Sequence, residues 1–182
     1  MPGAAVCRQR RDLGIITEIT VKLWPLPPYN FNMVCVFDDD AKAFALPNKI
    51  LKAGIEPTSL EFMDNEALVM TCKYLDNMEM PHVNEGCSYV IVTVESFDQE
   101  ESDRKMERLC ELAEANGSLD EFEADDRIWK VRKEFAEAAR DVDRMFQTED
   151  FVVPLDKIAE MTAQIPELRE KYNLYCVTCA HI

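Results

Sequence analysis

The chain has 182 residues, 47% hydrophobic and 30% charged, enough for one substantial core or two small ones. Thirty-five acidic against twenty basic side chains leave a formal charge of -15, which repels nucleic-acid backbones and anionic lipid and excludes both as natural partners. Nine Phe and two Trp fall within periodic segments, which excludes a disordered chain.

The chain begins with a short basic stretch, Arg8, Arg10 and Arg11, which reads as a solvated arm. Gly14 to Leu23 alternates, with Ile15, Thr17, Ile19, Val21 and Leu23 on one side, the pattern of a half-buried strand. Pro25, Pro27 and Pro28 then break any ladder or helix and mark a boundary. Phe31 to Phe37 is predicted as a strand, followed by a helix from about Ala41 to Ala53 that Asp38 to Asp40 can cap and Gly54 can stop. Ser59 to Met63 is a second strand, and Asp64 caps a helix over about Asn65 to Leu75. Met78 to Gly86 reads as loop and Ser88 to Glu95 as the clearest strand. An acid-rich helix follows over about Gln99 to Ala115, and Leu119 to Phe122 is a short edge strand. From Phe97 to Asp126 there are twelve acidic and three basic residues, so this region carries over half of the net charge. Asp126 opens a helix to about Met145, Pro154 to Lys171 makes one or two more, and Leu174 to Ala180 is a final strand. This order predicts an α+β fold of the ferredoxin-like class, an antiparallel or mixed sheet with helices packed on one face.

Generic catalytic signatures are absent. Five glycines form no phosphate-cradling loop, and no Gly-x-Ser-x-Gly elbow occurs. The acid pairs Glu100 with Glu101 and Glu121 with Glu123 read as solvated faces, and His82, beside Pro81, reads as a surface residue. With only His82 and His181, a histidine-based metal site needs carboxylates or a partner segment. Seven cysteines, an odd number without a paired framework, read as reduced apolar residues of a cytoplasmic protein. Cys176 and Cys179 form a CxxC, but in a strand positions three apart face opposite ways, which argues against a shared metal or a redox pair. No apolar run approaches the roughly 20 residues that span a bilayer, and Met1 to Arg11 lacks an apolar stretch of signal-peptide length. In Asp126 to Glu134, Arg132 lies three residues after Trp129, at the margin of an apolar stripe of Ile128, Val131 and Phe135. Its guanidinium either rests on an aromatic face and offers a fork to a carboxylate, or is exposed with its stem covering apolar surface.

Four segments carry a resemblance. Leu13 to Pro27 (LGIITEITVKLWPLP), Leu60 to Leu68 (LEFMDNEAL), Ile128 to Ala139 (IWKVRKEFAEAA) and Glu149 to Met161 (EDFVVPLDKIAEM) resemble, in order, landmarks of the FAD-linked oxidases. The branch is that of the flavin-bearing chain of glycolate oxidase, the D-lactate dehydrogenases and D-2-hydroxyglutarate dehydrogenase. The first segment is similar to the junction between the flavin-binding domain and the substrate (cap) domain, and the third to the family's Trp-x-x-Arg helix. The resemblance divides the chain into residues 1–28, the last strand of the FAD-binding domain plus a linker, and residues 29–182, a cap domain incomplete at its C-terminal end.

The resemblance further implies that Gly14, Ile15, Ile16 and Thr17 contact the flavin and that Arg132 pairs with the substrate carboxylate. His181 would be the first histidine of a Gly-His-x-Gly-Asp-Gly-Asn-x-His segment that holds a divalent metal such as zinc. Cys7 to Asp12 departs from the family's Gly-Ser-Glu-Gly-Thr run. Ala136 stands where a hydroxyl assists in one subfamily, and Thr148 replaces a lysine, which argues against 2-hydroxyglutarate. The implied activity is oxidation of a small 2-hydroxy acid of glycolate or D-lactate type by hydride transfer to FAD. The implied partners are that substrate, an FAD-binding domain or subunit, an electron-transfer partner and a second copy in a homodimer. These 182 residues are expected to be catalytically inert alone. The alternative is a free-standing ferredoxin-like module for small-molecule binding or protein interaction, without catalysis.

Overall fold

The computed structural model describes residues 15–143 and 145–182. Its strands are β1 (Tyr29–Phe37), β2 (Ser59–Met63), β3 (Ser88–Ser96), β4 (Asp120–Ala124) and β5 (Cys179–His181). They form a single sheet in the order β4-β1-β3-β2-β5, with every neighbouring pair antiparallel. The helices are α1 (Asp40–Lys52), α2 (Asn65–Tyr74), α3 (Gln99–Glu114), α4 (Arg127–Val142), α5 (Ile158–Thr162) and α6 (Ile165–Tyr172). The connection β1-α1-β2 straddles β3, and β3-α3-β4 straddles β1, two interleaved split βαβ units that make the α+β, ferredoxin-like arrangement. Aspartates start three of the helices. Asp39, Asp64 and Asp98 each accept a hydrogen bond at 2.8 Å from a first-turn amide, of Ala41, Ala67 and Glu101 respectively.

The helices cover both faces of the sheet, where one covered face was expected. Phe31, Met33, Cys35 and Phe37 of β1 point to one side, into a core with Phe44 and Ile50 of α1 and Leu109 of α3; Ile158 and Ala159 of α5 pack at its edge. Val34 and Val36 point to the other side, against Leu68 of α2 and Ile128 and Val131 of α4. The physical reason is visible in β1 and β3, where both strand faces are apolar over most of their length, so leaving either side wet would expose a large apolar area. Phe62 of β2 is fully buried, its ring 4.2 Å from that of Phe44.

Two strand expectations differ from the structure. Residues 15–28 form no helix or strand, and Ile15, Ile19, Leu23 and Trp24 are all more than two-thirds exposed. An alternating segment becomes a strand only when another strand accepts its hydrogen bonds, and among the described residues none does. Gly14 lies outside the described residues. The final strand covers only Cys179–His181, because β2 offers Glu61–Met63 for pairing before Asp64 turns into α2. Cys176 therefore lies outside the strand, and the opposite-face argument for the CxxC does not apply to it. Burial among apolar neighbours pushes the Cys179 thiol up to about 12, which keeps it protonated and a poor nucleophile.

His82 is more than a surface residue. At φ 57° it starts the short 3-10 turn Val83–Glu85, and its ring lies between two carboxylates. Nδ1 is 2.7 Å from Glu85 Oε2 and Nε2 is 2.9 Å from Asp120 Oδ2, which ties the loop before β3 to the edge strand β4. The hydrogen bonds to Glu85 and then Asp120 raise its pKa above the ordinary 6.5.

Two outcomes are expected. Phe62→Ala empties a closed site and should cost about 3–5 kcal/mol of unfolding free energy in urea titrations. The His82 contact is fully present below the unfolded-state pKa and is lost as pH rises through the raised folded-state value. The thermal midpoint should accordingly fall across that window, and His82→Gln should abolish that part of the pH dependence.

Candidate functional site

Helix α4 buries Ile128 and Val131 against the sheet. Trp129 and Arg132, one turn apart, follow at the margin of that contact. Arg132 reaches β2, where Nε and Nη2 each lie 2.8 Å from Oε2 of Glu61. The other carboxylate oxygen, Oε1, is 2.6 Å from Nδ1 of His181 and accepts the Ser59 hydroxyl at 3.1 Å. Glu61 and His181 are cross-strand partners in the β2–β5 ladder, so the histidine is placed by the sheet itself. The Glu61 side chain is 8% exposed, that of Arg132 25% and that of His181 71%. The two residues that the resemblance singled out on this face, 49 positions apart, therefore meet on one buried carboxylate.

Of the two readings of Arg132, the structure shows a guanidinium held by a carboxylate. That carboxylate belongs to the chain. Glu61 occupies the Nε/Nη2 side of the guanidinium, which leaves Nη1 with no acceptor among the described residues. Glu61 was missed in the sequence because LEFM reads simply as a strand. The signal was present, however: an acid on the same strand face as buried Met63 needs a cationic or donor partner.

A second ion pair holds β5 in place. Arg169 of α6 donates from Nη2 to Asp64 Oδ2 at 2.8 Å and from Nη1 to Glu66 at 3.2 Å. The Thr178 amide donates to the same Asp64 oxygen at 2.7 Å, so the cap of α2 also anchors the residue entering β5. Asn32 of β1 completes the margin beside α4. Its Oδ1 accepts the Trp129 indole N–H at 3.0 Å and the Thr93 hydroxyl at 2.8 Å.

The residues implied for flavin and metal fit those groups only in part. Ile15, Ile16 and Thr17 are exposed and extended, and one uncovered segment cannot enclose an isoalloxazine ring. His181 offers one outward ring nitrogen, Nε2, and its other nitrogen is taken by Glu61. Among the described residues no group of three or more His, Cys, Asp or Glu side chains could hold a metal ion. No chemical step is assigned to either group on this chain. Among the described residues, no helix is long and apolar enough to cross a membrane.

Removing the carboxylate should be costly. Glu61→Ala leaves Arg132 and His181 without their acceptor and should lower stability by about 3 kcal/mol, the low end for a broken buried pair because Arg132 is partly exposed. The double variant Glu61→Leu with Arg132→Met should recover most of that loss in urea titrations.

Known proteins share both the sequence pattern and the fold. Residues 26–182 match the family described as FAD linked oxidases, C-terminal domain. The D-lactate dehydrogenase of Anaerostipes hadrus is 27% identical over 177 residues, which cover 93% of this chain and 37% of that protein. The glycolate oxidase subunit GlcD of Escherichia coli (strain K12) is 27% identical over 170 residues, 93% of this chain and 34% of that protein. Among solved structures, an alkyldihydroxyacetonephosphate synthase shares the fold with a TM-score of 0.58 at 16% identity, over 86% of this chain and 34% of that one. The chain thus spans little more than a third of the length of these relatives. With 26–182 matched from the first proline-rich boundary through His181, the chain belongs to the FAD linked oxidases, C-terminal domain, family.

Proposed function

We propose that the chain is the substrate (cap) domain of an FAD-dependent oxidoreductase that oxidises a small 2-hydroxy acid of the glycolate or D-lactate type. The observation that carries this reading is the convergence of Arg132 and His181 on Glu61 where the edge strand β5 pairs with β2. Residues 29–182 serve as the cap domain, and residues 1–28 belong with the flavin-binding unit. Arg132 takes the substrate carboxylate through Nη1, the donor that Glu61 leaves free. Glu61, held by donors on both oxygens, keeps the guanidinium from swinging away, so the carboxylate meets an oriented cation. By accepting from Nδ1, Glu61 also turns Nε2 of His181 outward, where it serves as one ligand toward a divalent metal such as zinc. FAD supplies the hydride acceptor, and it is bound chiefly by an FAD-binding domain or subunit outside these residues.

The alternative of a free-standing module without catalysis is the weaker reading. A self-sufficient module would seal its apolar surface, yet Ile15, Ile19, Leu23, Trp24 and Leu26 are exposed on one continuous segment. That segment suits a flavin-bearing partner, and it is also where a homodimer would form. Reduced flavin must pass its electrons on, so an electron-transfer partner belongs to the same proposal. The cytoplasmic setting is supported by the six described cysteines, all of them free.

The 182-residue chain should show no flavin absorbance and no turnover of glycolate or D-lactate with an artificial electron acceptor, while binding these acids weakly, in the millimolar range. Arg132→Gln should weaken that binding at least about tenfold in NMR titrations, as expected for a lost charge-assisted hydrogen bond. Turnover by the wild-type chain alone, or equal binding by the variant, would refute the reading.

A further inference from the structure

On the face of the sheet that α2 and α4 cover, the rows of cross-strand neighbours are apolar except toward one end. Val36, Tyr89 and Met63 form one buried row. After a middle row of Val34, Ile91 and Glu61 comes a polar row of Asn32, Thr93 and Ser59, in register across β1, β3 and β2 and all half-buried, with the Asn30–Glu95 pair next along β1 and β3. Helix α4 borders this polar floor, with Trp129 bonded at its β1 side and Arg132 at its β2 side. All three floor residues lie on strands, so the floor is as rigid as the sheet.

The hydrogen bonds assign a direction to each polar group. An indole N–H can only donate, so the Asn32 amide must turn Oδ1 toward Trp129. Oδ1 accepts from Thr93 as well, and Nδ2 is left without an acceptor among the described residues. The Ser59 hydroxyl donates to Glu61. Consequently two donors beside this row have no acceptor among the described residues, Asn32 Nδ2 on its β1 side and Arg132 Nη1 on its β2 side, and the Thr93 and Ser59 hydroxyl oxygens lie between those two residues. Pinning Trp129 needs an acceptor alone, and the donor half of the carboxamide serves nothing among the described residues. The complementary ligand carries acceptor oxygens at both ends and a hydroxyl proton to give in the middle, the pattern of a hydroxylated carboxylic acid.

We infer that Asn32 is a specificity-determining residue: its carboxamide N–H groups hold a ligand oxygen across the floor from the carboxylate bound by Arg132, selecting hydroxylated acids over plain carboxylic acids of the same length. This rests on the proposal that Arg132 binds the substrate carboxylate. A site that donates into a ligand oxygen rejects the analogue lacking that oxygen, because its own N–H is then desolvated without a partner.

The test uses the full chain and three acids of equal length, propionate, D-lactate and D-glycerate, which carry zero, one and two hydroxyls. Binding is followed by NMR. The wild type should prefer D-glycerate to propionate by about tenfold, the effect of one good hydrogen bond, and the Asn32 side-chain amide resonances should shift with D-glycerate and not with propionate. Asn32→Asp keeps an oxygen for Trp129 and Thr93 but exchanges the donor for an acceptor. It should retain the wild-type Trp fluorescence while its preference falls to within about twofold. Asn32→Asp with the preference intact overturns the inference and leaves Arg132 standing. A wild-type chain that binds none of the three acids overturns the Arg132 proposal, and this one with it. Should Asn32→Asp not fold, the wild-type amide resonances decide: their failure to move while other signals respond to D-glycerate overturns the inference.

Discussion

A single buried carboxylate organises the edge of this sheet where β5 pairs with β2. Glu61 accepts from Arg132 on one oxygen and contacts His181 and Ser59 with the other, so two elements remote in sequence, α4 and β5, depend on one side chain of β2. A carboxylate so enclosed is tolerable only with donors on both oxygens, and that requirement works in reverse on its partners. Helix α4 must present Arg132 over β2, and β5 must pair with β2 in the register that sets His181 opposite Glu61. Were that register to slip by one residue, the histidine would face the opposite side of the sheet.

The surroundings hold that register from several directions. Arg169 and the Thr178 amide share one oxygen of Asp64, so the residue that caps α2 also fixes the entry to β5. On the other side Asn32 draws the Trp129 indole onto β1, one turn before Arg132. The candidate site residues thus sit on strands and a packed helix, while the exposed segment 15–28 contributes none of these contacts. This separation is what the proposed cap-domain role requires: a rigid surface on strands and helix, and a separate exposed apolar segment.

Much of the architecture was legible in the residues. Aspartates ahead of apolar periodic runs marked the starts of α1, α2 and α4, and strand patterning located β1, β2, β3 and the edge strand β4 to within a few residues. Expectations failed where an element depends on a partner. Ile15 to Leu23 alternates as a strand should, yet no neighbour among the described residues accepts its hydrogen bonds, and Leu174 to Val177 gains no ladder because β2 has already turned at Asp64. The near-continuous apolar runs of β1 and β3 did announce two covered faces, a signal that the expectation of one face overlooked. His82 looked like an ordinary loop residue because neither of its carboxylates, one of them 38 positions away, can be paired with it from sequence.

By itself the sequence determined the element types, the acidic surface, the ferredoxin-like α+β class and the family resemblance, because propensity, capping and periodicity are local properties of neighbouring residues. Only the tertiary structure decided that Glu61 joins Arg132 to His181, that the Asn32 amide oxygen accepts from both Trp129 and Thr93, and that both sheet faces are covered. Those facts are set by strand register and by which helix crosses which strand, and they arise from contacts between residues 61 to 120 positions apart that no local pattern encodes.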